Sequence, residues 1–267
     1  MLLIKAGGGK DINWDAIGRD LAALRATEKI ILVHGASVLR DEIAARLSTP
    51  VKTVVSPSGV TSVYTDAEAL DVFLMAYAGL ANKKIVATLL RYGLNAVGLC
   101  GVDGGLWRAR AKKDLMIVED GKTKLLRNNL TGRVEEINSG LIRLLLDHDY
   151  LPVICAPAVS FEHQIVNTDN DWAAAVMAGE LGISKIVYLF EAPGLLRELD
   201  RPESLVRRIE RSSIGEYLPL AQGRMKKKIL GAQQALDRGV EAVYFGDGRI
   251  DHPVVSALEG AGTVIER

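Results

Sequence analysis

Short apolar runs alternate along the chain with longer stretches whose apolar positions recur every three or four residues. Residues 2–6, 29–34, 95–99, 151–155, 185–190 and 240–245 are runs of the first kind. Their near-continuous aliphatic content predicts strands covered on both faces, as in parallel sheets. Residues 13–26, 38–47, 66–80, 83–92, 137–147, 172–181 and 225–238 have helical spacing. Gly239 stands where the last of these needs a cap, and Pro253 opens a shorter helix over 253–258. Residues 114–118 and 123–126 flank Asp120-Gly121, which reads as a hairpin turn. Pro157 is expected to end the strand that starts at Leu151. Strands alternating with amphipathic helices predict an α/β fold: a three-layer αβα sandwich around a mainly parallel central sheet. Residues 1–267 are expected to form a single domain, and any two lobes share one sheet with a seam near 155–170.

Composition changes this picture little. With 48% hydrophobic and 25% charged residues, the chain has the profile of an ordinary globular protein. Lys+Arg and Asp+Glu balance at 33 each, so bulk charge gives no case for a nucleic-acid or membrane partner. No apolar run approaches the ~18 residues of a membrane-crossing helix. Cys100 and Cys155 fall in apolar runs and read as buried free thiols of a reducing compartment. The four histidines are scattered, so no metal site is predicted. The N-terminus lacks a signal-peptide pattern, and a cytoplasmic location is expected.

The candidate chemistry lies in the turns that follow strands, where open α/β sheets bind ligands. Lys5-Ala6-Gly7-Gly8-Gly9 follows the first strand and His34-Gly35-Ala36-Ser37 the second. Glycines let the backbone approach an anion and offer its N–H groups, and a following helix N-terminus adds partial positive charge. Two such turns in succession, one with a lysine, point to a phosphate site. Neither is a Walker A loop or a dinucleotide GxGxxG turn.

The second half adds three features. Asn167-Thr168-Asp169-Asn170-Asp171 opens a predicted helix with more acids and amides than capping needs. Glu191-Ala192-Pro193-Gly194 follows another strand. Gly223-Arg224-Met225-Lys226-Lys227-Lys228 opens the longest helix, although the macrodipole repels lysines there. A bound anion would outweigh that repulsion.

In this order, and across the full length, these motifs resemble the amino acid kinase family, which phosphorylates carboxylates, carbamate or phosphate with ATP. More narrowly, the chain is similar to the acetylglutamate kinase branch and to the kinases of carrier-protein-dependent lysine or arginine synthesis. These act on α-aminoadipate or glutamate attached through its amino group to a small acidic carrier protein. Ser56-Pro57-Ser58-Gly59, Tyr64-Thr65-Asp66, Asn82-Lys83-Lys84, the stretch 218–228 and Gly246-Asp247-Gly248-Arg249 carry this likeness.

The resemblance implies transfer of a phosphoryl group from ATP to a side-chain carboxylate, giving an acyl phosphate. A carboxylate is already ionised at neutral pH, so the chemistry needs positioning and charge neutralisation more than a base. Lys5 would stabilise the transferring group, Lys228 the ATP phosphates, and Asp171 would hold both ammonium groups. The N–H groups at Gly8 and around Gly35 and Ala36 would hold phosphoryl oxygens, with Gly7 in the same turn, and Asn167 would orient the acceptor. Glu191, Gly194, Gly223 and Met225 would line the nucleotide cleft, with Mg²⁺ bridging phosphates. The acceptor would bind a lobe over about 1–157 and the nucleotide a lobe over about 158–267. Relatives with an extra N-terminal helix form rings of dimers. This sequence begins at its first strand, so a two-fold dimer through the helix over 66–80 is expected.

Three positions depart from the family pattern. Ala36 stands where the family has Gly, which is tolerable unless that position is left-handed. Glu191 replaces a shorter Asp or Asn. Val63 replaces an Arg that pairs with the α-carboxylate of the amino acid, and an isopropyl group cannot make that pair. Either Arg91, Arg127 or Arg133 reaches the site, or the acceptor lacks that carboxylate, or catalysis is poor. Free N-acetyl-L-glutamate is the alternative acceptor, and a non-catalytic ligand-binding or regulatory member is the alternative that Val63 raises. The basic segment 108–127 reads as a docking face for an acidic carrier.

Overall fold

The computed structural model describes every residue except Ser58, Val60 and Gln222, and of Arg224 the backbone alone. Those parts of the 56–59 and 218–228 motifs therefore lie outside the described residues.

An eleven-stranded sheet forms the centre. From one edge its strands run Ile165–Thr168, Thr131–Ile137, Trp107–Lys112, Leu151–Ser160, Ile30–His34, Leu2–Ala6, Lys185–Phe190, Ala242–Asp247, Thr263–Glu266 and Arg208–Glu210. Ala96–Gly101 also pairs with Leu151–Ser160. The five central neighbours are mutually parallel. Antiparallel pairs are confined to the two flanks. This is the expected α/β sandwich with a mainly parallel sheet.

Period-two alternation sends successive side chains to opposite faces. Leu3, Ile31, Val33, Ile186, Tyr188 and Phe190 enter one core, with the helices Asn170–Leu181 and Arg224–Asp237 above them. Ile4, Leu32, Val187 and Leu189 enter the other, with Ile17 and Leu21 of Trp14–Leu24, Ile85 and Leu89 of Asn82–Arg91, and Val254 of Pro253–Leu258. Lys5 shares the face of Leu3, so it points to the Asn170–Leu181 side.

Two expectations about elements are corrected. The strand that starts at Leu151 does not end at Pro157 but runs to Ser160. Leu151 to Cys155 pair with Ala96–Gly101, while Val159 and Ser160 pair with Trp107–Lys112. Pro157 sits where the strand changes partner, a point at which a missing N–H removes no ladder bond. The stretches 66–80 and 83–92 are not separate helices but one rod, Ala67–Arg91, joined by a π-helical segment, Leu74–Ala81. The rod is 25 residues long with a peak mean hydropathy of 1.2, enough by length and composition to cross a membrane. Its apolarity has a packing explanation: Phe73, Ala76 and Tyr77 enter one core, and Ile85 and Leu89 the other.

Candidate active site

Strand register brings the turns to one edge. Ala6 pairs with both His34 and Leu189, so three strands end at nearly the same level. The Gly7 N–H donates to Leu189 O at 2.8 Å and the Gly35 N–H to Ala6 O at 3.0 Å. The two glycine turns then interlock: Gly8 O accepts from the Val38 N–H at 3.0 Å and from Ser37 Oγ at 3.2 Å. A Cβ on Gly8 would collide with the backbone nitrogens of Ala36 and Ser37. One on Gly35 would lie 2.8 Å from the Gly8 nitrogen. Close approach of two backbones fixes glycine here. Ala36 has φ −152°, outside the left-handed region, so its methyl group is accommodated without backbone strain. It caps the helix Ser37–Arg46 without a side-chain hydrogen bond. The N–H groups of Gly8 and Ala36 have no acceptor among the described residues.

Behind these turns lies a buried ion cluster. Lys5 Nζ is 2.5 Å from Asp171 Oδ1, and Lys228 Nζ is 3.3 Å from Asp171 Oδ2. The Lys5 contact is ionic, without hydrogen-bond alignment. Lys228 Nζ also lies over the Phe190 ring, 5.3 Å from its centroid. Lys228 reaches inward because Gly231, one turn on, lets its helix pack closely: a Cβ there would lie 3.3 Å from that of Asp171. Burial pushes the Asp171 carboxyl pKa up, but the Lys228 and Lys5 ammonium groups overcome it and hold it well below the usual carboxylate range. Burial and the neighbouring Lys5 lower the pKa of Lys228, and Asp171 opposes them. Two ammonium groups share one carboxylate, so with all three ionised the buried cluster carries one positive charge too many. Such a charge is costly away from water unless an anion completes it.

The run 167–171 divides its labour. Asp169 is the N-cap, accepting from the Asp171 and Trp172 N–H groups. Asn170 donates to His34 O at 3.2 Å and accepts from the Ala156 N–H at 3.1 Å. Asn167 donates to Thr65 Oγ1 at 3.0 Å. Thr65 is fully buried and two residues from Val63. Sequence reasoning assigned no role to Asn170 or Thr65; the surplus of amides was the available signal.

Other predicted residues lie apart from the ion cluster. Glu191 Oε1 accepts the Asp11 N–H at 2.8 Å, and its carboxylate occupies the space a Gly9 side chain would need. Gly194 packs against Thr263 and Leu205. Gly223 turns into the Arg224–Asp237 helix with φ 51°, and Met225 packs on the core edge. Val63 packs against the same core from the strand Thr61–Val63. Of the three arginines, Arg91 is tied to Asp15 at 2.9 Å, and the Arg127 carbonyl accepts from the Tyr64 hydroxyl. Arg133 stacks 3.7 Å from the Trp172 ring centroid, next to Asp171 in sequence.

A cleft of about 250 Å³ borders the turns, lined by Gly7, Gly8, Gly35, Ala36, Lys10 and Lys84 among others. A larger hollow, about 700 Å³, lies by Glu210, Arg211 and Asp237 and shares no predicted residue. Among the described residues no group of three or more His, Cys, Asp or Glu converges as a metal site.

The amino acid kinase family model matches residues 2–247. The chain belongs to the amino acid kinase family. Among its relatives in that family is the LysW-aminoadipate kinase of Thermus thermophilus, 44% identical over 99% of this chain and 100% of that protein. The LysW-aminoadipate kinase of Deinococcus radiodurans is 46% identical over 99% of this chain and 91% of that one. The fold of this family member recurs in N-acetylglutamate synthase from Neisseria gonorrhoeae, with TM-score 0.80 at 22% identity, covering 100% of this chain and 59% of that one. It recurs also in carbamate kinase from Giardia lamblia, with TM-score 0.67 at 16% identity, covering 100% and 98%.

Proposed function

We propose that this amino acid kinase phosphorylates the side-chain carboxylate of α-aminoadipate or glutamate whose amino group is joined to a small acidic carrier protein, with ATP as donor. The observation that carries the reading is the buried cluster with its uncompensated positive charge, set beside the Gly8 and Ala36 N–H groups, which have no acceptor among the described residues. Both are suited to the charge that spreads over a transferring phosphoryl group. The names of relatives at 44% and 46% identity support the choice of acceptor.

Lys5 acts on the transferring group, Lys228 on the donor phosphates, and Asp171 holds both ammonium groups. Gly8 and Ala36 present backbone N–H groups to phosphoryl oxygens, Gly7 and Gly35, whose own N–H groups bind Leu189 O and Ala6 O, shape the turns that hold them, and Asn167 orients the acceptor carboxylate. Glu191, Gly194, Gly223 and Met225 border the nucleotide from the half beyond residue 158, and the acceptor lies on the half before it. Mg²⁺ would enter with the donor and be held mainly through its phosphates, since among the described residues no carboxylate cage converges. Arg133 takes the acceptor's α-carboxylate in place of the arginine that Val63 lacks; its stacking on Trp172 supports this. The carrier docks on the segment 108–127, where Arg108, Arg110, Lys112, Lys113, Lys122, Lys124 and Arg127 outnumber Asp114, Glu119 and Asp120 and steer an acidic partner. The protein is a two-fold dimer through the Ala67–Arg91 rod, which light scattering checks.

Single-turnover reactions trapped with hydroxylamine test the reaction. The expected result is acyl hydroxamate from carrier-bound aminoadipate or glutamate, and little from free N-acetyl-L-glutamate. ATP binding with no trapped product from any of these acceptors would overturn the proposal.

A further inference from the structure

A connected set of buried polar groups surrounds His34, outside the ion cluster. His34 is fully buried. Its Nδ1 lies 3.2 Å from Gly35 O, and its Nε2 lies 3.1 Å from Asn82 Nδ2. A carbonyl only accepts, so Nδ1 carries the proton and the bare Nε2 accepts from Asn82. Asn82 Nδ2 also donates to Val153 O at 3.0 Å, and Oδ1 accepts from Lys83 Nζ at 3.0 Å. The His34 carbonyl accepts from Asn170, the residue before Asp171.

Three local features converge on this amide. The π-helical segment ends immediately before Asn82. Gly98 lacks a side chain where Asn82 Oδ1 sits. Asn82 also takes a position on the buried face of its helix that it shares with Ile85 and Leu89. An imidazole and an amide are thus kept in a core where aliphatic groups would avoid the desolvation cost.

The consequence falls on the Gly35–Ala36 peptide. The C=O and N–H of a trans peptide point in opposite directions. With Gly35 O held by the imidazole, the Ala36 N–H is turned away from His34. A Cβ on Gly8 would collide with the Ala36 nitrogen, and the Ala36 N–H has no acceptor among the described residues. Glycine at position 35 would otherwise let this peptide flip at little cost. We infer that His34, set in place by Asn82, is a positioning residue that locks the Gly35–Ala36 peptide so that the Ala36 N–H is offered to the phosphoryl group. The identity of that ligand rests on the function proposed above.

Two substitutions separate positioning from bulk stability. His34→Asn keeps an N–H donor near the Nδ1 position, whereas His34→Gln moves the amide out to the Nε2 position. In ¹⁵N-labelled protein titrated with AMP-PNP and Mg²⁺, the Ala36 amide resonance should shift in the parent and in His34→Asn but not in His34→Gln. His34→Gln should lower kcat by about 100-fold, as expected when a transition-state donor is lost, and His34→Asn by less than about tenfold. KM for ATP should change less than kcat in both. If His34→Gln does not fold, Asn82→Ala takes its place, with a weakened Ala36 shift and a kcat loss of about tenfold expected. Equal losses in the two His34 variants, or an Ala36 amide that never responds in the parent, would overturn the inference. A parent that shows the Ala36 shift yet transfers no phosphoryl group would sink the proposed reaction and leave the positioning role standing.

Discussion

The glycine turns and the ion cluster occupy one site but are held by different forces. The turns are fixed by neutral contacts: backbone hydrogen bonds from Gly7 to Leu189, Gly35 to Ala6 and Val38 to Gly8, and close approaches that exclude side chains. Even the buried histidine beside them is held neutral, its pKa lowered to about 4 chiefly by burial. The cluster of Lys5, Asp171 and Lys228 is held by charge and is one anion short. The turns are closed by their own contacts, whereas on the proposed reading the cluster is completed by a bound anion. Variants of the turns should fail through misplaced backbone, and variants of the cluster through lost charge.

The sharpest separation comes from Lys5→Ala. Removing one of two ammonium groups should lower kcat by roughly two to three orders of magnitude, the usual loss for one charged donor aimed at a transition state. The change in ATP affinity should be smaller, because the effect falls on charge that develops during transfer. Lys228→Ala should in addition raise KM for ATP. A Lys5→Ala enzyme within a few-fold of the parent would mean that this ammonium group does not reach the reacting phosphate. Steady-state kinetics with saturating acceptor decide it.

The two regions also differed in how far their sequence disclosed them. A turn that needs glycine for close approach, or a lysine at a strand end, is a local requirement, so Gly7, Gly8, Gly35 and Lys5 were readable in order along the chain. The Asn167 to Asp171 run signalled a site by excess, but the duties of Asn167 and Asn170 depend on partners more than 100 positions away, Thr65 and His34. Asn82 stood out only within Asn82-Lys83-Lys84, between the stretches expected as helices over 66–80 and 83–92, so neither its burial nor its partner was readable. The flanking strands Trp107–Lys112 and Thr131–Ile137 escaped because this antiparallel pair carries alternating polar residues such as Arg108, Arg110 and Glu135. The continuation of Leu151–Ser160 through Pro157 follows from a change of partner strand, which no local pattern encodes.

Steric failure of the turns can be tested without touching charge. Gly8→Ala places a methyl group against the backbone of Ala36 and Ser37, which cannot rotate aside. A displacement of this size at a positioning element should reduce kcat by about 100-fold. Gly140→Ala is the control: it lies in the helix Ser139–Asp147, and its Cβ would meet only Asn138 Oδ1, at 3.5 Å. That change should stabilise the helix by roughly 0.5–1 kcal/mol and leave kcat alone. If Gly8→Ala keeps full activity, the interlock between the turns does not set the phosphoryl position.

A last measurement distinguishes the regions by pH, through stability and not through turnover. His34 has a folded-state pKa of about 4 against an ordinary value of 6.5, so between these limits the unfolded chain binds a proton that the native protein does not. Native stability should therefore fall as pH drops from 6.5 toward 4, by up to about 1.4 kcal/mol per pH unit, or roughly tenfold in the folding equilibrium. Asp171 contributes in a lower window. Its carboxyl is held below its unfolded value of 3.8, so its stabilisation is complete above that pH and is lost as pH falls further. Urea unfolding at pH 7, 5.5 and 4.5 should show the His34 slope in the parent, and His34→Gln should flatten it. Asp171→Asn should leave the slope between 6.5 and 4.5 in place while altering behaviour below pH 4. A parent whose stability is level from pH 7 to 4.5 would show that the imidazole beside the glycine turns does not resist protonation. The neutral scaffold would then be no less dependent on charge than the cluster behind it.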